Sequence, residues 1–301
     1  MADDDDQVAA AVAEWEASGE LVVVGGHRLW CTRVGATQDV GNPPLLVLHG
    51  FPTCSFDWVP VLGELSARRD VVLLDFLGFG LSDKPDLRYG LRAYADGVEA
   101  VVAHFGIDHV DLLTHDMGDS VGGELLARSL EGSLAFTVGR RVVTNGSIYM
   151  DLAQLTVGQQ LLLGLPDERN DLVGADGGVS FRGGVVATFA EGSAFDGHEV
   201  DCVVALAVRT GGLSLLPRTI RYIEDRRAEE RRFTGAIETH SSPVGVVWGD
   251  LDPVAVHAMA ERFVSVRSDA PLVTLDGVGH YPMIEAPERF AAAVLSLLDQ
   301  P

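Results

Sequence analysis

A chain of 301 residues, 47% apolar and 22% charged, has room for one large domain or two small ones and is neither disordered, collagenous nor a disulfide scaffold. Its net charge of −22 opposes approach to a phosphate backbone or an anionic membrane, so nucleic acid and membrane are not expected partners. No apolar run approaches the ~18 residues of a membrane helix; the acidic start Met1–Asp6 is unlike a basic leader, and Cys31, Cys54 and Cys202 lack CxxC spacing, which fits free thiols in a reducing cytoplasm.

From residue 20 onward, short β-branched runs alternate with longer helical patterns. Leu21–Val24 and Leu29–Thr32 read as opening strands across the turn Gly25-Gly26. Leu45–Leu48, Val71–Leu74 and Val110–Leu113 read as buried strands, too short and too uniformly apolar for surface helices. Residues 91–105 carry Leu91, Tyr94, Val98, Val101, Val102 and Phe105 at helical spacing, and a second helix is expected from about Gly118 to Leu130. Arg141–Thr144, Val244–Trp248 and Leu272–Leu275 supply further strands, and 284–299 a closing helix. Such alternation means a parallel sheet covered on both faces. Residues 147–238 break the rhythm: Leu-rich early, Gly-rich in the middle and Arg-rich late. An insertion of this kind in a regular sheet protein reads as a cap over the active site, with 1–146 and 239–301 as the core.

The chemistry-bearing residues follow the ends of strands. In Leu112-Leu-Thr-His-Asp-Met-Gly-Asp119 a buried strand turns directly into a helix, the setting of a nucleophile elbow. The apex is Asp116; Thr114 stands where a first glycine is usual, and Gly118 keeps the second. An aspartate there suits displacement at a saturated carbon, giving a covalent ester that water must hydrolyse. His280, in Gly277-Val-Gly-His-Tyr-Pro282, is placed as the base for that hydrolysis, and Asp252 before Pro253 as the acid that holds its imidazole. Asp250 is a weaker competitor for the acid role, and His115 reads as a structural neighbour of the elbow. The loop His49-Gly-Phe-Pro-Thr53 offers the N–H of Phe51 opposite that of Met117 as an oxyanion hole. The remaining histidines show no ligand spacing, so no metal is expected.

The runs His49-Gly-Phe-Pro-Thr53, Leu74-Asp-Phe-Leu-Gly-Phe-Gly-Leu-Ser-Asp-Lys-Pro85 and Thr114-His-Asp-Met-Gly118 resemble the epoxide-hydrolase and haloalkane-dehalogenase branch of the α/β-hydrolase superfamily. Within it the pattern is most similar to the mesoderm-specific-transcript-like hydrolases, with Asn145-Gly-Ser-Ile148 and a late Arg-Arg pair in place. The resemblance implies an eight-stranded, mostly parallel sheet with an inserted helical cap, no cofactor, and Asp116, Asp252 and His280 as nucleophile, acid and base. It further implies hydroxyl donors to an opening epoxide: Tyr222 resembles the second tyrosine of the usual pair, while either Tyr149 replaces the first or one donor suffices. His49 joins them as an expected substrate-side residue. The expected reaction is conversion of a small or medium apolar epoxide to a diol. Haloalkane or haloacid dehalogenation, and a low-turnover binding role, stand as alternatives. The partners expected are that substrate and, at most, a second copy of the chain as a homodimer.

Overall fold

The computed structural model describes residues 2–38 and 40–299. Its sheet holds β1 (Glu20–Val24), β2 (His27–Val34), β3 (Leu45–Leu48), β4 (Val71–Leu74), β5 (His109–His115), β6 (Thr137–Thr144), β7 (Val244–Gly249) and β8 (Leu272–Leu275). These eight strands lie in the order β1-β2-β4-β3-β5-β6-β7-β8. β2 runs antiparallel to both its neighbours, and every other pairing is parallel. Order reverses between β3 and β5, and open parallel sheets place their ligands outside the carboxyl ends of strands at such a switch.

The uniform apolarity of β3 and β4 follows from burial on both faces, since alternate side chains enter opposite layers. Leu45, Val47, Val71 and Leu73 pack with Trp58, Val61, Phe290 and Val294. Leu46, Leu48, Val72 and Leu74 pack with Val98, Val101, Val121 and Leu125 instead. The helices Val59–Leu65 and Pro287–Leu298 thus cover one face, and Leu91–His104 and Met117–Glu131 the other.

Several elements depart from the sequence reading. Residues 4–6 of the acidic start belong to a helix, Ala2–Ala17, and carboxylates near its N-terminus suit the positive end of a helix dipole. That helix is fixed by Trp15, whose ring lies 4.9 Å from Trp30 and 5.8 Å from Phe56. Val59–Leu65 and Ala258–Val266 were too short for periodicity to reveal. The expected closing helix is two, Pro282–Glu285 and Pro287–Leu298, because Ala286 leaves helical geometry (φ −148°, ψ 59°) and Pro287 has no N–H to continue the ladder.

Between β6 and β7 the chain forms helices Val157–Gly164, Val179–Val186, Gly197–Val208, Leu216–Thr219 and Tyr222–Thr239, with a 3-10 turn at Arg209–Leu215. Contrary to the expectation of no membrane-length apolar run, Gly197–Ala228 is long and apolar enough by composition to cross a membrane. Positive φ at Thr210 (54°) and Gly211 (73°) breaks it, and Val200, Cys202, Val203 and Leu206 are core residues, so internal packing accounts for its apolarity. The last helix, Tyr222–Thr239, lies along Met117–Glu131 and completes the layer on that face. A Cβ on Gly123 would come within 2.8 Å of the Phe233 carbonyl, and Glu124 pairs with Arg232 at 2.6 Å.

Candidate active site

Asp116 ends β5 and starts the next helix with φ 48° and ψ −113°, a left-handed conformation for a residue with a side chain. Such a backbone costs on the order of 1–3 kcal/mol and survives only where packing over-determines it. Two glycines supply that packing. A Cβ on Gly118 would stand 2.6 Å from the Leu48 carbonyl, so the helix can begin directly against the end of β3. A Cβ on Gly50 would stand 2.7 Å from the Asp116 Cβ, so the loop after β3 lies across the elbow. Thr114, in the place of the usual first glycine, donates its hydroxyl to Asp119 and braces the turn from below.

The consequence is a directed hydrogen bond: Phe51 N–H donates to Asp116 Oδ2 at 2.9 Å. Met117, the other expected donor, opens the helix and is buried. His280 faces the second carboxylate oxygen, with Nε2 4.0 Å from Asp116 Oδ1. On its far side, His280 Nδ1 donates to Asp252 Oδ2 at 2.7 Å. Asp252 is itself fixed by Val254 N–H (2.7 Å) and Ala255 N–H (2.9 Å) on Oδ1 and by Asn145 Nδ2 (2.8 Å) on Oδ2. The three side chains arrive from the ends of β5, β7 and β8 and are all buried. Burial pulls the His280 pKa down, but the Asp252 and Asp116 carboxylates outweigh it and lift the imidazole to about 9.

Asp250, the competitor for the acid role, instead accepts the Gly277 N–H at 2.7 Å. His115 is structural, as expected: Nε2 donates to the His280 carbonyl at 2.8 Å, and burial with the neighbouring His280 pushes its pKa down to about 4.

Of the expected substrate-side residues, one is near the elbow. Tyr222 is buried, with its ring 5.5 Å from the Phe51 ring and the Arg226 guanidinium 5.0 Å from its centroid. Burial, and then the Asp116 charge, raise its phenol pKa, which keeps the hydroxyl protonated. Tyr149 is not there. Its hydroxyl donates to Glu238 Oε1 at 3.0 Å, Arg262 covers its ring at 4.2 Å, and it packs with Trp248 and Met259 on the other side of the sheet's end. The turn after Asn145 carries it away from the elbow. His49 also differs from expectation. Its Nδ1 donates to the Gly50 carbonyl at 2.8 Å and its Nε2 accepts the Phe76 N–H at 3.0 Å, so both nitrogens brace the loop and neither is left for a substrate.

Residues without an assigned role in the sequence reading complete the site. Asn145 (φ 48°) bridges strands: it donates to Asp252 and to the Gly279 carbonyl (3.2 Å), and its Oδ1 accepts Gly249 N–H (3.2 Å). Its sequence signal was the turn Asn145-Gly-Ser-Ile148. Glu285 accepts Gly279 N–H (2.9 Å), Tyr281 N–H (3.0 Å) and Ala190 N–H (2.8 Å), tying the histidine loop to the segment Thr188–Ala190. His280 N–H adds a bond to the Thr188 carbonyl at 3.0 Å.

A cavity of about 520 Å³ reaches this site between Phe51, His280 and Tyr281. Its outer walls are Leu162, Leu165, Phe181, Val185, Leu213 and Leu216 from the segment between β6 and β7, with Thr156, Gln159 and Ser180 among the polar positions. Among the described residues no tryptophan lines it, and no cluster of His, Cys, Asp or Glu is arranged to hold a metal.

A sequence profile of the alpha/beta hydrolase family matches residues 45–293. A putative hydrolase, LipZ, from Mycobacterium tuberculosis is 40% identical over 96% of this chain and 98% of its own. The human mesoderm-specific transcript homolog protein is 31% identical over 97% of this chain and 89% of its own. Among solved structures, the epoxide hydrolase CorEH superposes with a TM-score of 0.72 at 18% identity, covering 93% of this chain and 97% of that one. A bacterial membrane phospholipase A superposes with a TM-score of 0.75 at 21% identity, covering 98% and 91%. At such identities these structures speak for the fold alone.

Proposed function

The chain belongs to the alpha/beta hydrolase family, and from that premise we propose that it is an epoxide hydrolase acting through a covalent ester on Asp116. The observation that carries this reading is the carboxylate at the elbow. Its Oδ2 is already held by the Phe51 N–H, while Oδ1 is left facing His280. A serine at that apex would transfer acyl groups; a carboxylate attacks saturated carbon.

Asp116 Oδ1 attacks an epoxide carbon, the ring C–O bond breaks, and the oxygen takes a proton from the Tyr222 hydroxyl. His280 then removes a proton from water, the resulting hydroxide adds to the ester carbonyl, and the negative charge on Oδ2 meets the Phe51 donor. A donor in that place is worth on the order of a hundredfold or more in rate. Collapse releases the diol, with His280 returning its proton to the leaving oxygen and the proton left on the Asp116 carboxyl restoring the Tyr222 phenolate. The apolar walls and volume of the cavity support a substrate with a sizeable hydrocarbon part and one polar reacting end.

The test is a panel of aryl and alkyl epoxides and haloalkanes, followed for diol and halide, with one single turnover in ¹⁸O-water under excess enzyme. Unlabelled new hydroxyl in the diol and label in Asp116 are expected. Halide release without diol formation would move the reading to dehalogenation. Label in the product of the first turnover would remove Asp116 as nucleophile.

A further inference from the structure

Beside the elbow, the described side chains include an acid that the mechanism above does not use. Asp57, in the 3-10 turn Ser55–Trp58 after the Phe51 loop, is buried, with no cation against it among the described residues. Its Oδ2 shares a 2.5 Å hydrogen bond with the Thr53 hydroxyl, and its Oδ1 is buried with no hydrogen-bond partner. Thr53 and Asp57 both act on the Tyr281 phenol, and all three side chains are at most 2% exposed. Tyr281 lines the cavity next to Phe51 and His280. Residues 53, 57 and 281 thus form a chain of oxygens that starts at an acid sealed from solvent and ends at the cavity wall.

We propose that Tyr281 presents a second hydroxyl to the substrate oxygen, and that Asp57 restores its proton through Thr53. The proposal rests on the epoxide reading. When the ring opens along this route, Tyr222 holds the oxygen by a hydrogen bond and keeps its own proton; the Tyr281 proton passes to the nascent alkoxide, the Thr53 proton to the phenolate, and the Asp57 proton to Thr53. Asp57 is left as a carboxylate. Water supplies two protons in the second half: one reaches the leaving oxygen through His280, and the other is freed when Asp116 is restored, which replaces the proton lost from Asp57. The sum is epoxide plus water to diol.

The electrostatics support an acid held protonated for this purpose. Burial is the largest influence on Asp57 and raises its pKa to about 8. The carboxylates of Asp75 and Asp116 add to that rise, while Thr53 and His280 oppose it. The pair of hydroxyls is then that of Tyr222, against the Phe51 ring, and that of Tyr281, in the cavity wall, with Tyr149 playing no part.

Rapid mixing with styrene oxide, quenching and intact-mass detection of the ester separates the possibilities. Tyr281→Phe is expected to slow ester formation ~10–100-fold while its hydrolysis is retained. Asp57→Asn, which keeps the shape of the neutral acid, is expected to remove the alkaline fall of the ester-forming rate near pH 8. A purely structural Asp57 would leave that pH profile in place. Infrared spectra of the wild type should show a buried carboxylic acid at neutral pH that ionises over the same range; its absence overturns the proposal even if the variants fold poorly. Unchanged rates and pH profiles in both variants, on a wild type that forms the ester, overturn the Tyr281 donor and its relay and leave the epoxide reading standing. A wild type that forms no ester with any epoxide overturns the epoxide reading itself, and the donor role with it.

Discussion

The His280 Nε2 stands 4.0 Å from Asp116 Oδ1, on the carboxylate oxygen that the Phe51 N–H leaves free. That gap is too long for a hydrogen bond and leaves the oxygen unencumbered for attack, with the imidazole behind the ester it would form. His280→Gln should therefore still be alkylated but not turn over. Intact-mass spectrometry after epoxide addition is expected to show a persistent adduct on the peptide containing Asp116. No adduct, with substrate shown to bind, would mean that water attacks the substrate directly.

The same pair sets the pH dependence. His280 is held protonated up to about 9 against burial by Asp252 and Asp116, and a protonated imidazole cannot act as a base. Ester formation removes the Asp116 charge and with it one of the groups that hold the proton. The pKa of His280 should fall in the intermediate, switching the base on after the nucleophile has acted. Single-turnover measurements should show ester hydrolysis rising with pH and levelling off below about 9. Stability has the opposite sign. A pKa raised from the ~6.5 of an unfolded histidine contributes stability that is full below that value and is lost as pH rises through about 9, which urea melts across that range would detect.

Asn145 should act through Asp252. Replacing it with alanine removes bonds to Asp252, Gly279 and Gly249 and leaves alanine in a left-handed backbone. Lost buried hydrogen bonds and strain of this kind sum to about 2–4 kcal/mol, a fall of several degrees in Tm. In the variant, ester formation should persist while hydrolysis slows and its pH profile broadens. Equal slowing of both steps would make Asn145 structural only.

The core was legible because strands covered on both faces leave short apolar runs in the sequence: β3, β4 and β8 begin and end at the residues expected from those runs. The meeting of Asp116, Asp252 and His280 was legible because strand-end motifs place residues without reference to the rest of the chain. What was not legible depended on where segments come to rest. Tyr149 and Tyr222 look equivalent as tyrosines in the inserted segment, yet one follows a left-handed turn to the Trp248 side and the other sits over Phe51. His49 has the composition of a functional residue, and only the backbone groups at Gly50 and Phe76 show that it is a brace. Glu285 gave no motif at all, because its partners are backbone amides from loops far apart in sequence.

The contrast between the two tyrosines of the inserted segment is the most discriminating substitution pair. Tyr222→Phe removes one hydroxyl beside the elbow and should lower the rate of ester formation ~10²–10⁴-fold, or less if a second donor shares the task. Folding should be unaffected, since among the described residues no hydrogen bond within the protein is lost: the ring's neighbours, Phe51 and Arg226, contact its face. Tyr149→Phe removes a hydroxyl bonded to the Glu238 carboxylate and is expected to cost about 1–2 kcal/mol of stability with ester formation unchanged. Measuring both variants by thermal melting and by quenched single turnover gives opposite patterns if the assignment holds. A Tyr222→Phe enzyme that opens epoxides at the normal rate, or a Tyr149→Phe enzyme that does not, would reverse the placement of the donor. In the first case the proton for the opening ring would have to come from Tyr281; in the second it would come from the Tyr149 hydroxyl, which is already committed to Glu238.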